Sequence, residues 1–398
     1  MGWLRSELTY CTNVHPANNQ AQVMDIVAGP LSRVRQMRDL PTMTGGLWFS
    51  QNTARELLAK NNLERFVESL EQNSITLFTL NGFPAIDFHS PRIKETVYRP
   101  DWADAARLEY TLNLAQILCT LLDPGISEGT ISTVPLGFGP DWNRDRQAQA
   151  LQALCRVVVE LDRIYLENGK MIRLCLEMEP GCALQDSDSL IDFFTRDLAG
   201  CAQRLGLAQH LIDDHLGVCF DVCHQAVMFE DTYESMRRIV DAGIHIGKIQ
   251  LSSALELADP EDDEARAALA DFAEAKYLHQ SCSRDRQGRL HSVLDLDQAF
   301  SALPATDPWR VHFHVPIQAQ SLICDGLGTT QREIFRTLDF LGDHPELHPH
   351  LEVETYTWSV LPPAIRPDAD SIVDGLAAEL QWLETQMQQR ELMLDQRA

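Results

Sequence analysis

Residues two apart in a β-strand project from one face, so the run LCLEMEP sets Glu177 and Glu179 side by side where an apolar, strand-like stretch ends. Two ionised carboxylates sharing such a place cost on the order of several kcal/mol in desolvation and repulsion, and a bound cation is the usual remedy. Neutralisation of both by lysine or arginine is the alternative. The run GVCFDVCHQ carries Asp221 and His224 three apart at a strand's end, where a turn can bring an oxygen and an imidazole to one ion. Gln250 in GKIQLSS is a neutral amide able to ligate a metal or hydrogen-bond a substrate. LEVETYTW puts Glu352 and Glu354 on one face, with Glu354 nearer the end. His312 and His314 in RVHFHVP also share a face, which suits a second metal, a substrate hydroxyl, or two core imidazoles satisfied by hydrogen bonds. After the first and third strand-like runs, Asn13, His15 and Asn81 could read hydroxyls; equally, Asn13 and Asn81 could cap turns while His15 and Pro16 open the first helix.

Positioning these groups requires strand ends that converge. Short β-rich runs alternate with longer amphipathic ones, the pattern of parallel βαβ units. Strands are expected at Glu7 to Asn13, Gly46 to Ser50, Ile75 to Asn81, Thr130 to Leu136, Ile172 to Glu179, Gly217 to Asp221, Gly247 to Ser252 and Leu351 to Tyr356. Helices are expected at Asp101 to Leu122, Asp145 to Glu167, Asp188 to Leu205 and Ser371 to Met387. In the second of these, Leu151, Leu154, Val158, Leu161 and Tyr165 recur at helical spacing, and Asn168-Gly169 stops it. Eight such pairs close most naturally into a (β/α)8 TIM barrel, an α/β fold with its site at the C-terminal strand ends. The sequence is read as one barrel domain over 1–398 with a segment inserted at 254–316, between strands seven and eight. That segment holds the acidic run Asp259 to Glu264, expected to be a solvated helix start, a loop through Ser281 to Arg289, and the apolar stretch Trp309 to Pro316.

Composition narrows the partners. With 58 acids against 33 bases the formal charge is -25 over 398 residues, which repels a phosphate backbone, so nucleic acid is not expected. No apolar run is long enough to cross a membrane, and no export leader is apparent, so a cytoplasmic protein is expected. The 10 cysteines include no C-x-x-C pair and several sit in strand-like runs, which predicts buried free thiols. A homo-oligomer is possible on this reading.

Glutamate on strand five, D-x-x-H on strand six and glutamate-threonine on strand eight resemble the metal pattern of xylose isomerase-like barrels. Within that superfamily, LTYCTNVHP, TLNGFP, ISTVPLGF, LEMEPGC, FDVCHQAV, KIQLSSA, HFHVPI and VETYTW resemble the EboE-type family of metabolite-traffic proteins, found beside secondary-metabolite enzymes. The resemblance implies a divalent metal on Glu177, Asp221, His224 and Glu354, with manganese, magnesium, zinc and iron all suited to such ligands. It also implies kinship of fold with sugar isomerases, sugar epimerases and the apurinic endonuclease branch. The chain departs from the pattern where Gln250 stands in place of a histidine and Glu179 in place of a lysine; His314 or His312 is expected to supply the missing imidazole.

Three functions follow as expectations. The first is a metal-dependent isomerase or epimerase of a sugar, polyol or cyclitol-like metabolite, in which Glu177 and Glu354 exchange a proton beside a carbonyl while Asn13, His15, Asn81, Glu179 and His312 contact substrate. The second is metal-dependent hydrolysis with two or three ions. The third is a non-catalytic carrier that holds a metabolite in the barrel mouth.

Overall fold

The computed structural model describes residues 2–123 and 125–394. Seven parallel strands come first: β1 (Thr9–Tyr10), β2 (Met43–Trp48), β3 (Ile75–Asn81), β4 (Glu128–Thr133), β5 (Met171–Glu177), β6 (Leu216–Asp221) and β7 (Ile246–Leu251). A second, antiparallel sheet follows, made of β8 (Ser253–Leu257), β9 (Ser281–Arg284), β10 (Leu290–Val293), β11 (Trp309–Val315), β12 (Ser321–Leu322) and β13 (Cys324–Thr329). The eighth parallel strand is β14 (His350–Val353), and the eight run in the order β1-β14-β7-β6-β5-β4-β3-β2. This is the α/β TIM barrel that the alternating pattern predicts. The second sheet takes in 254–316 and continues to Thr329.

The seam between β1 and β2 is closed by side chains as much as by backbone. A single bridge joins Cys11 to Gly46, and the hydroxyls of Thr9 and Thr12 each accept from a β2 amide, Gly46 N and Trp48 N, at 3.0 Å. Of the expected Glu7 to Asn13 strand only Thr9 and Tyr10, with Cys11 as a lone bridge, are extended with a partner, because Arg5–Glu7 and Thr12–Val14 wind into 3-10 turns on either side. The first helix starts at Gln20, capped by the Asn19 side chain, and not at His15.

The outer helices lie close to their expected bounds. Arg144–Asn168 is capped by Asn143 and stopped by Gly169 at φ 70°, a left-handed conformation that glycine adopts without strain. The expected helix at Asp188 to Leu205 contains a π-helical turn, Phe193–Leu198, between two α-helical pieces. The run Asp259 to Glu264 does begin a helix, Asp263–Ala270, with Asp262 as its cap. The expected loop through Ser281 to Arg289 is instead the first strand and turn of a hairpin, with β9 pairing β10 and β11. Ser281, Cys282 and Ser283 are buried in succession and mostly polar, so hydrophobic periodicity does not mark that strand. The cysteines are free, nine of them buried and Cys324 half-buried. Among the described residues no helix is long and apolar enough to cross a membrane.

Candidate metal centre at the barrel mouth

Asp221 closes β6 and at the same time caps the helix Val222–Val227, its Oδ1 accepting from the His224 amide at 3.0 Å. The D-x-x-H spacing is therefore a helix cap: the aspartate fixes the first turn, and that turn swings the imidazole over the strand end. Ser252, just past β7, donates to the same Oδ1 at 2.8 Å, leaving Oδ2 buried without a partner. Glu177 ends β5, and its Oε2 is likewise buried and unpartnered. Glu354 follows β14, and the amides of Asn13 and Asn81 both donate to its Oε1, at 2.8 and 3.0 Å. One oxygen from each of Glu177, Asp221 and Glu354 lies within 4.8 Å of the others.

The histidines arrive from the second sheet. β11 pairs β8 with Val311 opposite Leu255 and Val315 opposite Ser253, so four steps on one strand span two on the other. The bulge re-aims its side chains, and His312 and His314 come to lie inside the mouth, both buried. Three further groupings result, each within 4.8 Å: Asp221 with His224 and His314, Glu179 with His224 and His312, and Cys223 with His312 and His314.

The hydrogen bonds assign the tautomers. His224 Nδ1 lies 2.8 Å from the Met178 carbonyl and His314 Nδ1 2.7 Å from the Glu354 carbonyl; a carbonyl only accepts, so both Nδ1 atoms carry hydrogen. Gln280 Nε2 donates to the Pro180 carbonyl at 2.9 Å, which orients its amide so that Oε1 accepts from His312 Nδ1 at 2.7 Å. In a neutral ring each Nε2 is then a bare lone pair. Burial pushes His314 down to about 4 and His312 well below the usual imidazole range, which keeps those two rings neutral. His314 Nε2 has no partner and faces Asp221 Oδ2 at 4.0 Å. His224 and His312 point Nε2 at Nε2 across 3.1 Å, a contact that only a shared proton or a cation makes attractive.

Electrostatics say the same of the acids. Glu177 and Glu354 are held well above the usual carboxylate range, first by burial and then by neighbouring carboxylates, Glu354 beside Glu177 and Asp221 beside Glu354. Glu179 is also raised by burial, offset by hydrogen bonds from Tyr98 at 2.8 Å and Gln280 at 3.2 Å. Glu352 has a different fate: it pairs with Lys248 at 2.7 Å, both side chains wholly buried. Its carboxylate fills the space a side chain at Gly46 would need, since a Cβ there would meet Glu352 Oε1 at 1.9 Å.

The remaining expected residues divide. Gln250 is buried at the end of β7 with Oε1 accepting from the Cys219 thiol at 3.4 Å and Nε2 unpartnered. Asn13 and Asn81 line the mouth pocket as well as holding Glu354. His15 turns away from it, with Nε2 at 3.0 Å from the Tyr10 hydroxyl. Sequence reasoning overlooked Lys248, although the parity that singles out Gln250 also puts Lys248 on the inner face. It overlooked Tyr98, at the end of the short 3-10 helix Lys94–Tyr98, and Tyr277 and Gln280, which sit on a loop, as well; no periodicity marks any of them. Behind the site, Glu379 of the helix Ala369–Gln389 accepts from Thr355 Oγ1 at 2.7 Å, the Ile317 amide at 3.1 Å and Trp358 Nε1 at 3.1 Å. Burial pushes it up to about 7.

No protein-family model matches the chain, and no curated protein matches it. Solved structures do. A D-tagatose 3-epimerase-like protein is similar at a TM-score of 0.50 and 12% identity, over 96% of this chain and 98% of its own. A D-psicose 3-epimerase crystallised in the presence of D-fructose is similar at 0.49 and 10%, over 96% and 99%. A 3-keto-D-glucoside 4-epimerase from E. coli is similar at 0.47 and 10%, over 95% and 99%. The first of these likenesses shows a barrel fold shared with that epimerase-like protein, and fold alone leaves the reaction open.

Proposed function

We propose that the chain is a metal-dependent isomerase or epimerase of a sugar-, polyol- or cyclitol-like metabolite, the eight EboE-like sequence blocks suggesting a secondary-metabolite setting. One observation carries the reading: buried, unpartnered acceptors converge at the mouth, namely Glu177 Oε2, Asp221 Oδ2 and His314 Nε2. Unpaired buried acceptors are rare in folded proteins, and a set made only of oxygen and imidazole lone pairs fits a divalent cation. Glu177, Asp221 and Glu354 would hold the ion, with His224 and His314 at its edge. When bound, it supplies Lewis-acid polarisation of a substrate oxygen.

The chain's own residues do the rest. Glu354, oriented by Asn13 and Asn81, removes a proton beside a carbonyl, and Glu177 returns one. Burial raises both acids, the direction in which a carboxylate becomes a stronger base. Phe83, Phe88 and Tyr356 line the same pocket and give it apolar surface. The test is elemental analysis of the purified protein together with turnover of a ketose and cyclitol panel. One ion per chain is expected, with loss of turnover in Glu354→Gln; unimpaired turnover in that variant removes the proposed base.

A second reading, metal-dependent hydrolysis, is favoured by one observation: His224 is shared between the grouping with Asp221 and His314 and the separate grouping with Glu179 and His312. Two or three ions per chain would select it over the first.

A further inference from the structure

Above the acidic floor the pocket changes character. Its outer wall is built by Phe88, Ile93, Val97, Tyr277 and Leu278, the first four belonging to an apolar cluster that also holds Trp48 and Tyr356. Three polar atoms at this wall are already engaged. The Tyr277 hydroxyl donates to the Phe88 carbonyl at 3.3 Å, the Ile93 carbonyl accepts from the Thr96 hydroxyl, and the Pro84 carbonyl accepts from Trp48 Nε1 at 2.7 Å. Lys94 is the one cation lining the pocket among the described residues. It is committed to Asp295 at 2.6 Å and to the Glu274 carbonyl at 3.1 Å.

A ligand group lying against this wall meets mainly carbon, and the one cation beside it is already paired with Asp295. A polyol tail there would bury hydroxyls without partners, and a phosphate or carboxylate tail would meet a pocket whose floor already carries Glu177, Glu179 and Glu354. The floor, by contrast, offers hydroxyl-reading groups, including Asn13 Oδ1, which is buried and unpartnered. Resting on the reading of the floor as the reacting end, we infer that the substrate is two-sided: a neutral molecule with a hydroxy-carbonyl head for the floor and an apolar, ring-bearing or alkyl remainder for the wall. Fully hydroxylated sugars and their phosphates are then poor fits.

Three compounds with one α-hydroxyketone head test it: 2-hydroxyacetophenone with a phenyl tail, D-erythrulose with a polyol tail and dihydroxyacetone phosphate with an anionic tail. Binding is measured calorimetrically to the full chain, with and without added manganese, after the manganese affinity itself has been measured. The phenyl ketone is expected to bind at least tenfold more tightly than D-erythrulose, and the phosphate at least tenfold more weakly than either. Erythrulose or the phosphate binding as well as the phenyl ketone, or no binding of the phenyl ketone to protein that holds manganese, overturns the inference. Protein that holds no metal under any loading overturns the proposed function instead. Val97→Ser provides a second readout: it should abolish the phenyl preference while manganese affinity stays unchanged, and retention of the preference would also count against the wall.

Discussion

Glu379 converts its burial into a pH dependence of stability that can be isolated. Its carboxyl lies behind the segment that follows Glu354, accepts three hydrogen bonds and is pushed by burial from 4.5 to about 7. Below pH 4.5 it is protonated in both the folded and the unfolded chain and contributes no slope. As pH rises from 4.5 toward 7 the unfolded chain ionises first, so folding stability falls, and above about 7 the loss is complete. At ~1.36 kcal/mol per pH unit, the gap between 4.5 and about 7 is worth about 3 kcal/mol. Glu379→Gln removes the titration. Its amide nitrogen will face at least one donor and cost stability, but by the same amount at every pH. Glu177 and Glu354 titrate in both proteins and cancel in the difference. Urea unfolding of the two proteins, with chelator present, should show wild type losing about 3 kcal/mol relative to the variant between pH 4.5 and 8. A difference that stays flat to within about 1 kcal/mol across that range would refute the reasoning.

Other outcomes follow from the same site. Glu177→Gln should raise the stability of metal-free protein near neutral pH by about 1 kcal/mol or more, because it removes a carboxyl whose ionisation is opposed by burial and by Glu354 and Asp221, and should abolish the rise in melting temperature that manganese gives the wild type. Lys248→Met should destabilise by about 3–5 kcal/mol, since it strands a wholly buried Glu352. Adding Glu352→Leu should recover most of that loss, with chemical denaturation as the readout for both. A thiol reagent applied to native protein should label Cys324 first and the nine buried cysteines only on unfolding, which timed mass spectrometry of labelled peptides will resolve.

Much of this was readable from residue types and spacing, for identifiable reasons. Strand-end acids announce themselves because two-residue parity and an apolar run before them leave one way to point, as at Glu177, Asp221 and Glu354. The bounds of β1 were not readable, because threonine hydroxyls substitute for ladder hydrogen bonds at the seam and let the strand shrink to Thr9–Tyr10. His312 and His314 shared a face by parity, but only the bulge against β8 decides that this face is the mouth. Gln280 and Tyr98, which orient His312 and Glu179, come from a loop before β9 and from a short 3-10 helix between β3 and β4, far apart in sequence. Local sequence carries no signal for such contacts.

The route by which the two imidazoles enter has an evolutionary corollary. The barrel closes through its eight parallel strands, whereas His312 and His314 ride on β11 of the other sheet. Insertions, deletions or a one-residue slip in β11 would therefore exchange nitrogen donors for something else while the oxygen donors on β5, β6 and β14 stay put. A scaffold wired this way can drift between chemistries by editing an accessory ribbon, and grafting that ribbon onto a related barrel is a direct way to transplant the histidines.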